Sequence, residues 1–171
     1  MTFGRVLYTC FDGNFGLKRM DRAKDVSTTL KREKSFFTLD AKFDEFCEKN
    51  DRTKQVESEC GQHFTAAKQS RKKKKNVDVS GVFAAVCARH GTPLRGLNIR
   101  GTGERMIYAL QILDWHIHQW GDSGIKALYD INCVFKKYVE VNKKEIRRSI
   151  YVKNAKINFI SFSFFTENAY C

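Results

Sequence analysis

The sequence has little proline and few acidic residues relative to basic ones. Pro93 is the single proline among 171 residues, so no proline-rich linker divides the chain into domains. The 19 acidic residues stand against 31 basic ones, which gives a formal net charge of +12. Such a charge favours an acidic partner, and nucleic acid is the commonest one, although charge alone predicts only non-specific attraction.

Long hydrophobic runs are also lacking. Residues Met1 to Cys10 have no basic start followed by a long apolar core, so they do not resemble a secretory signal. The apolar stretch from Ile157 to Phe165 is interrupted by polar residues and is shorter than the roughly 20 residues that cross a bilayer. We therefore expect a soluble intracellular protein with no membrane partner. In that compartment the six cysteines are expected to be thiols or metal ligands.

Apolar periodicity predicts one α/β domain with a mixed sheet. Residues 4–20 alternate in polarity around an Asp-Gly-Asn sequence, which predicts a β-hairpin or a bent strand pair. The apolar run Val82 to Cys87 predicts a buried strand, and Ile125 to Phe135 predicts another. Between them, apolar residues recur at spacings of four and three from Met106 to Trp120, which predicts a helix that Gly121 ends.

Two stretches depart from this pattern. Residues 18–76 are rich in charged side chains and have weak apolar periodicity, so they are interpreted as a long basic insertion in a core that spans 4–140. Within the insertion a short helix is allowed around Phe36 to Phe46. Residues 141–171 have no turn signals and no clean period, and they are interpreted as an irregular tail outside the core, with a terminal strand pair as the alternative.

Asp12 and Asp130 are candidates for chemistry because both lie at the ends of expected strands. A carboxylate in an apolar strand is costly to bury unless it is paired or binds a metal. Two aspartates on neighbouring strands can hold Mg²⁺ or Mn²⁺, and two such ions roughly 4 Å apart can cleave a phosphodiester. The alternative is structural, with Asp12 in an Asp-Gly turn and Asp130 capping a helix that starts at Ile131. Spacing alone favours the structural alternative.

Cysteine and histidine form a second candidate site. Cys60 and His63 have the same spacing as Cys87 and His90, and the two pairs together offer four ligands for a structural Zn²⁺ ion. The alternative is a buried thiol at Cys87 and two exposed histidines, and the spacing leaves both explanations open.

A basic run, Arg71-Lys72-Lys73-Lys74-Lys75, offers contacts to DNA phosphates or a nuclear-import signal, with a solvated loop as the alternative.

Four segments, taken in order, resemble the Kyakuja-Dileera-Zisupton (KDZ) transposase family. They are Asp12–Phe15 with Leu17–Arg19, Cys60 with Phe64–Ala67, Ser80–Phe83 running to Cys87–Gly91 and Pro93–Leu94, and Gly103–Arg105 leading through Tyr108 to Leu128–Cys133. The combination covers roughly residues 5 to 140. One departure is Ala88, an extra residue that changes the family's cysteine-to-histidine spacing.

The resemblance implies an RNase H-like mixed sheet and a DDE mechanism of DNA cleavage and strand transfer, acting on transposon ends and target DNA in the nucleus. In that fold the first carboxylate lies on the first strand and the second on the fourth strand, after the first helix. Asp12 and Asp130 occupy those positions, so the resemblance implies that both are catalytic and bind the metal. Asp78 competes for the first position but precedes the third strand.

The same resemblance implies a third acid, a glutamate on a later helix. Downstream of Asp130 the sequence offers Glu140, Glu145 and Glu167, and none has a context like that of the family. We therefore expect a truncated copy, incomplete on its C-terminal side and without strand-transfer activity. The alternatives are a non-catalytic, zinc-stabilised DNA-binding protein and a zinc-stabilised interaction domain with no DNA role.

Overall fold

The computed structural model describes residues 6–20, 36–50, 76–100, 105–120 and 124–142, together with the backbone of 157–161. The helices and strands in this part of the chain are β1 (Leu7–Asn14), β2 (Arg19–Met20), α1 (Asp40–Lys49), β3 (Val77–Val79), β4 (Gly81–Cys87), β5 (Pro93–Ile99), α2 (Met106–Trp120), β6 (Ile125–Tyr129), α3 (Asn132–Val141) and β7 (Ile157–Ser161). None of the described helices is long and apolar enough to span a membrane.

The main sheet has five strands in the order β5-β4-β1-β6-β7. Strand β4 runs antiparallel to both β1 and β5, whereas β6 runs parallel to both β1 and β7. Strands β2 and β3 form a separate two-stranded sheet. The expected α/β class with a mixed sheet is therefore confirmed.

One face of the main sheet carries the core. Strands expose alternate residues to opposite faces, and the residues on this first face are buried beneath the helices. Helix α1 contacts the core through Phe43, whose ring stacks on Tyr108 of α2 with centroids 5.0 Å apart. Helix α3 contacts it through Phe135, which meets the ring of Tyr129 edge-on at 5.8 Å. The three described helices thus pack on the same side.

The second face carries the alternate residues and is half-buried to exposed. Its side chains on the three central strands are Tyr8, Cys10 and Asp12 on β1, Ala84 and Val86 on β4, and Lys126 and Leu128 on β6. The helix contacts described above are all made with the first face.

The predicted hairpin in residues 4–20 is wrong. Residues Asp12 to Asn14 are extended and pair with Ala84 to Val82, because the antiparallel ladder with β4 satisfies backbone groups that a turn would leave to other partners. The turn follows at Phe15 and Gly16, where the Gly16 amide donates to Asn14 Oδ1 at 2.8 Å. After the turn, β2 pairs with β3 and not with β1.

Other expectations fare better. The expected strand at Val82 to Cys87 is β4, the expected helix is α2, and α1 overlaps the short helix that the basic insertion allowed. The strand expected over Ile125 to Phe135 ends at Tyr129, because α3 begins at Asn132 and buries Phe135. Strand β5 was not predicted. Strand β7 lies within 141–171 and pairs in parallel with β6.

Candidate active site

The two candidate aspartates lie at the same edge of two adjacent parallel strands. The register of β1 and β6 pairs Phe11 with Tyr129. Asp12 follows Phe11 within β1 and Asp130 follows Tyr129 directly after β6, so the two residues lie beside each other on neighbouring strands. Each residue is exposed. The fold therefore brings together the two acids that the sequence singled out.

A backbone amide holds one oxygen of each carboxylate. The Gly13 amide donates to Asp12 Oδ1 at 2.7 Å, and the Ile131 amide donates to Asp130 Oδ1 at 2.8 Å. Helix α3 begins at Asn132 with Ile131 as its N-cap residue and without a side-chain cap, so Asp130 does not cap it in the usual way.

The local electrostatics favour a positive ligand at this edge. Partial desolvation of its carboxyl group raises the pKa of Asp130, the hydrogen bond from Ile131 opposes that rise, and the negative charge of Asp12 adds to it. The pKa of the half-buried Cys10 thiol is also raised, chiefly by burial and further by Asp12 and Asp130. Two like charges at one edge repel each other, and a bound cation removes that cost.

The acid pair fits a hard cation that keeps several of its own waters. Mg²⁺ prefers oxygen ligands and is often held by one or two carboxylates. Within the described ranges no cluster of three or more His, Cys, Asp or Glu side chains is arranged to hold a metal, so the two carboxylates are the candidate ligands for this cation among the described residues.

The third acid has no described counterpart beside the pair. Glu140 is exposed near the end of α3, about 12 Å along the helix from Asn132 at roughly 1.5 Å per residue. Glu145 and Glu167 lie outside the described residues. The competing Asp78 lies on β3, where its Oδ2 accepts a hydrogen bond from Arg19 Nε at 3.0 Å. A guanidinium thus engages Asp78 in the smaller sheet.

Half of the candidate zinc site is described. Cys87 Sγ lies 3.3 Å from His90 Nδ1 in the turn between β4 and β5. Hydrogen bonds from the Cys87 amide to Thr92 O and from the Gly91 amide to Cys87 O, each 2.8 Å, close this turn. Gly91 has a φ of +65°, which favours glycine. The other two candidates, Cys60 and His63, lie outside the described residues, as does the basic run Arg71 to Lys75.

A cluster that the sequence interpretation missed lies on the second face of the sheet. The Arg89 guanidinium carbon lies 4.2 Å from the centroid of the Tyr8 ring, and Lys126 Nζ donates to the Tyr8 hydroxyl at 3.1 Å. These two cations lower the pKa of Tyr8, Lys126 more than Arg89. The signal in the sequence was weak, because the three residues lie far apart and only the register brings Tyr8 opposite Lys126.

Comparison with protein-family models identifies the chain as a transposase by descent. The matching model describes the Kyakuja-Dileera-Zisupton transposase and covers residues 5–164. Because the match covers most of the chain, the protein belongs to the KDZ transposase family, as its motifs predicted. A transposase family implies a DNA partner. Searches of curated proteins and of solved structures gave no match.

Proposed function

We propose that this chain carries the RNase H-like core of a DDE transposase, in which Asp12 and Asp130 hold Mg²⁺ or Mn²⁺ for DNA cleavage and strand transfer. The observation that carries the proposal is the parallel register of β1 and β6, which sets the two acids side by side. The sheet order supports it, since β1, β4, β5 and β6 are the first four strands of the main sheet along the chain and α2 precedes β6.

The chemistry follows from the placement of the acids. A divalent cation would activate the attacking oxygen and stabilise the leaving oxygen of a phosphodiester. The chain positions the ligands for it, because Asp12 lies within the central strand and Asp130 follows its parallel neighbour. The Gly13 and Ile131 amides fix one oxygen of each carboxylate. Ligands on rigid strands lose little freedom on binding, which favours precise placement.

We propose further that the chain alone does not complete strand transfer, because none of the downstream glutamates has a context like that of the family's third acid. DNA is the proposed substrate, both at transposon ends and at the target, and the nucleus is the proposed location. The basic run Arg71 to Lys75 is proposed to contact DNA phosphates.

Metal binding and DNA cleavage test the proposal separately. Mn²⁺ affinity is measured by electron paramagnetic resonance for the parent, Asp12→Asn, Asp130→Asn and the control Glu48→Gln, an exposed acid on α1. We expect each aspartate variant to weaken binding roughly 10–100-fold or more, since loss of even an outer-shell partner has that effect. Equal affinity in all four proteins would reject the metal site.

The cleavage assay uses transposon-end DNA with Mg²⁺ or Mn²⁺. We expect no strand-transfer product from the isolated chain. Robust activity that disappears in Asp12→Ala and Asp130→Ala would show that the chain is catalytically sufficient, contrary to the proposed lack of a third acid.

A second candidate function is zinc-stabilised DNA binding without catalysis. The observation that favours it is the 3.3 Å contact of Cys87 Sγ with His90 Nδ1, which places two zinc-type ligands together. Salt-dependent DNA binding without Mn²⁺ binding or cleavage would support this function over the first.

A further inference from the structure

Two cations and a phenol converge on the second face of the sheet, away from the acid pair. Tyr8 lies on β1, Lys126 lies opposite it on β6, and Arg89 reaches it from the turn after β4. Lys126 Nζ lies 5.0 Å from the Tyr8 ring centroid as well as within hydrogen-bonding distance of the hydroxyl. All three side chains are at least partly exposed. A ligand can therefore reach the cluster.

Both positive charges contact the same ring, and no acidic partner is recorded for either of them within the part of the chain that the structure describes. The described ion pairs engage Arg19, Lys49, Arg100 and His118, and within the described ranges none of them involves Arg89 or Lys126. Two cations held on one ring repel each other, and an anion bound between them would relieve that repulsion. The Tyr8 hydroxyl accepts its hydrogen bond from Lys126, and its own proton is then available to an anion's oxygen.

We propose that Tyr8, Arg89 and Lys126 form a binding site for one phosphate of a DNA backbone. The inference rests on the proposed function, and it adds a contact that orients the DNA strand relative to the acid pair. A guanidinium, an ammonium and a hydroxyl donor are the groups that bind phosphate oxygens in proteins. The alternative partner is an acidic protein segment, whose carboxylates are flexible and variably spaced. Such a segment would bind three donors that converge on one point less well than a phosphate would.

The position of the cluster relative to the acids fits one continuous strand. Tyr8 and Asp12 lie on the same face of β1, four residues apart, which at roughly 3.3 Å per residue is about 13 Å. One strand of B-DNA, whose nucleotides advance about 3.4 Å each along the helix axis, can span that length within a few nucleotides. Lys126, the register partner of Tyr8, likewise lies four residues before Asp130. A strand whose phosphate binds at the cluster can therefore present a phosphodiester to the acids.

The turn that carries Arg89 is already ordered. The Ala88 amide donates to Tyr8 O at 2.9 Å, which ties the turn to β1 directly beside the cluster. Cys87 and His90, which precede and follow Arg89 in the sequence, contact each other across the turn. Binding thus orders few additional groups, and preorganisation of this kind favours affinity.

The test measures DNA binding by fluorescence anisotropy in the presence of EDTA, with a labelled duplex and increasing salt. We expect Arg89→Gln/Lys126→Gln to bind about tenfold more weakly near 50 mM salt, and the slope of log K against log salt to fall by about 1. The control is Lys42→Gln/Lys136→Gln, which removes the same charge from exposed positions on α1 and α3, on the opposite side of the sheet. A loss in the first variant no greater than in the control overturns the proposal.

Two further variants separate charge from fold. Arg89→Lys/Lys126→Arg keeps both charges and should retain the salt slope. Tyr8→Phe keeps the ring under Arg89 but removes the donor, so we expect about threefold weaker binding with an unchanged slope. Displacement of DNA by polyglutamate as effectively as by unlabelled duplex would indicate an acidic protein partner and reject the DNA assignment.

The result does not depend on the metal site. With chelator present, Asp12→Asn and Asp130→Asn should bind DNA at least as well as the parent, because they remove negative charge. Failure of the phosphate site makes Arg89→Gln/Lys126→Gln equal to its control, whereas failure of the proposed function appears as unchanged Mn²⁺ affinity in the aspartate variants.

Discussion

Phe11 and Tyr129 are register partners on the parallel strands β1 and β6, and their rings meet edge-on with centroids 6.1 Å apart. Both side chains are buried on the helical side of the sheet. Successive residues of a strand point to opposite faces. The packing of this aromatic pair therefore also fixes the position and the direction of the residue that follows on each strand. The core thereby fixes the placement of Asp12 and Asp130, and a slip of one residue in β6 would separate them.

Asp130→Asn is expected to stabilise the protein in the absence of metal. The folded-state pKa of Asp130 is raised, so its stabilising contribution is full when the carboxyl is protonated and is lost as pH rises through the folded pKa. At neutral pH the ionised group is therefore unfavourable, and the amide removes this effect while still accepting from Ile131. The gain should be no more than about 1 kcal/mol, since solvent screens an exposed group.

Thermal melts with and without Mn²⁺ check this prediction. The parent should melt at a lower temperature than Asp130→Asn in EDTA, and Mn²⁺ should raise the melting temperature of the parent more than that of the variant. Glu48→Gln serves as the matched control. A variant less stable than the parent in EDTA would contradict the expected repulsion at this edge.

Zinc content tests the cysteine and histidine pairs. If Cys60, His63, Cys87 and His90 hold Zn²⁺ together, the purified protein should contain about one zinc per chain by mass spectrometry. Cys87→Ser and His90→Asn should each lose most of it, whereas Cys133→Ser, an exposed thiol on α3, should retain it. Equal zinc in the Cys87 and Cys133 variants would rule out the four-residue site.

The parts of the fold predicted from sequence are those with strong apolar periodicity. Helix α2 and strand β4 have continuous apolar patterns, and the structure confirms both. Strand β5 was missed because it begins at Pro93 and includes Arg95 and Gly96, which weaken a strand pattern. Gly96 leaves room for a neighbouring ring, since a Cβ there would lie 2.5 Å from Phe36 Cε1.

The candidate site divides in the same way. The acids could be found because each followed an apolar run. The turn expected at Asp12 was wrong, since the antiparallel ladder with β4 continues through Asp12 to Asn14 and overrides the turn preference of Asp-Gly-Asn. The cluster of Tyr8, Arg89 and Lys126 could not be found, because only the register brings its members together.

Gly81→Ala should destabilise the strand that supports Asp12. A Cβ at Gly81 would lie 2.7 Å from the backbone oxygen of Asn14, and a backbone atom cannot move aside as a flexible side chain can. We expect a loss of about 1–3 kcal/mol in urea unfolding, typical of overpacking. Gly91→Ala is a separate comparison, because its Cβ meets nothing within 4 Å and its cost would come from the positive φ alone. No loss in Gly81→Ala would mean that β1 and β4 are farther apart there than described.

The buried pair of Thr9 and His116 should make the protein sensitive to acid. His116 is fully buried on α2, its Nε2 lies 2.9 Å from Thr9 Oγ1, and burial lowers its pKa to about 3. Rings of Phe11, Trp115 and Trp120 surround it at 5.3–5.9 Å. A depressed folded pKa means that stability is full above the unfolded value near 6.5 and falls as pH drops towards 3.

Urea unfolding of the parent and of Thr9→Val/His116→Phe, at neutral pH and near pH 5, measures this contribution. Between these conditions His116 should account for a loss of about 2 kcal/mol in the parent that the double variant lacks. Thr9→Val alone leaves His116 Nε2 without its partner and should cost about 1–3 kcal/mol at neutral pH. Gln119→Ala, at an exposed and uncharged position on the same helix, is the control and should keep the acid sensitivity of the parent. If the double variant loses as much stability on acidification as the parent, other groups govern the acid response and His116 is not buried in its neutral form.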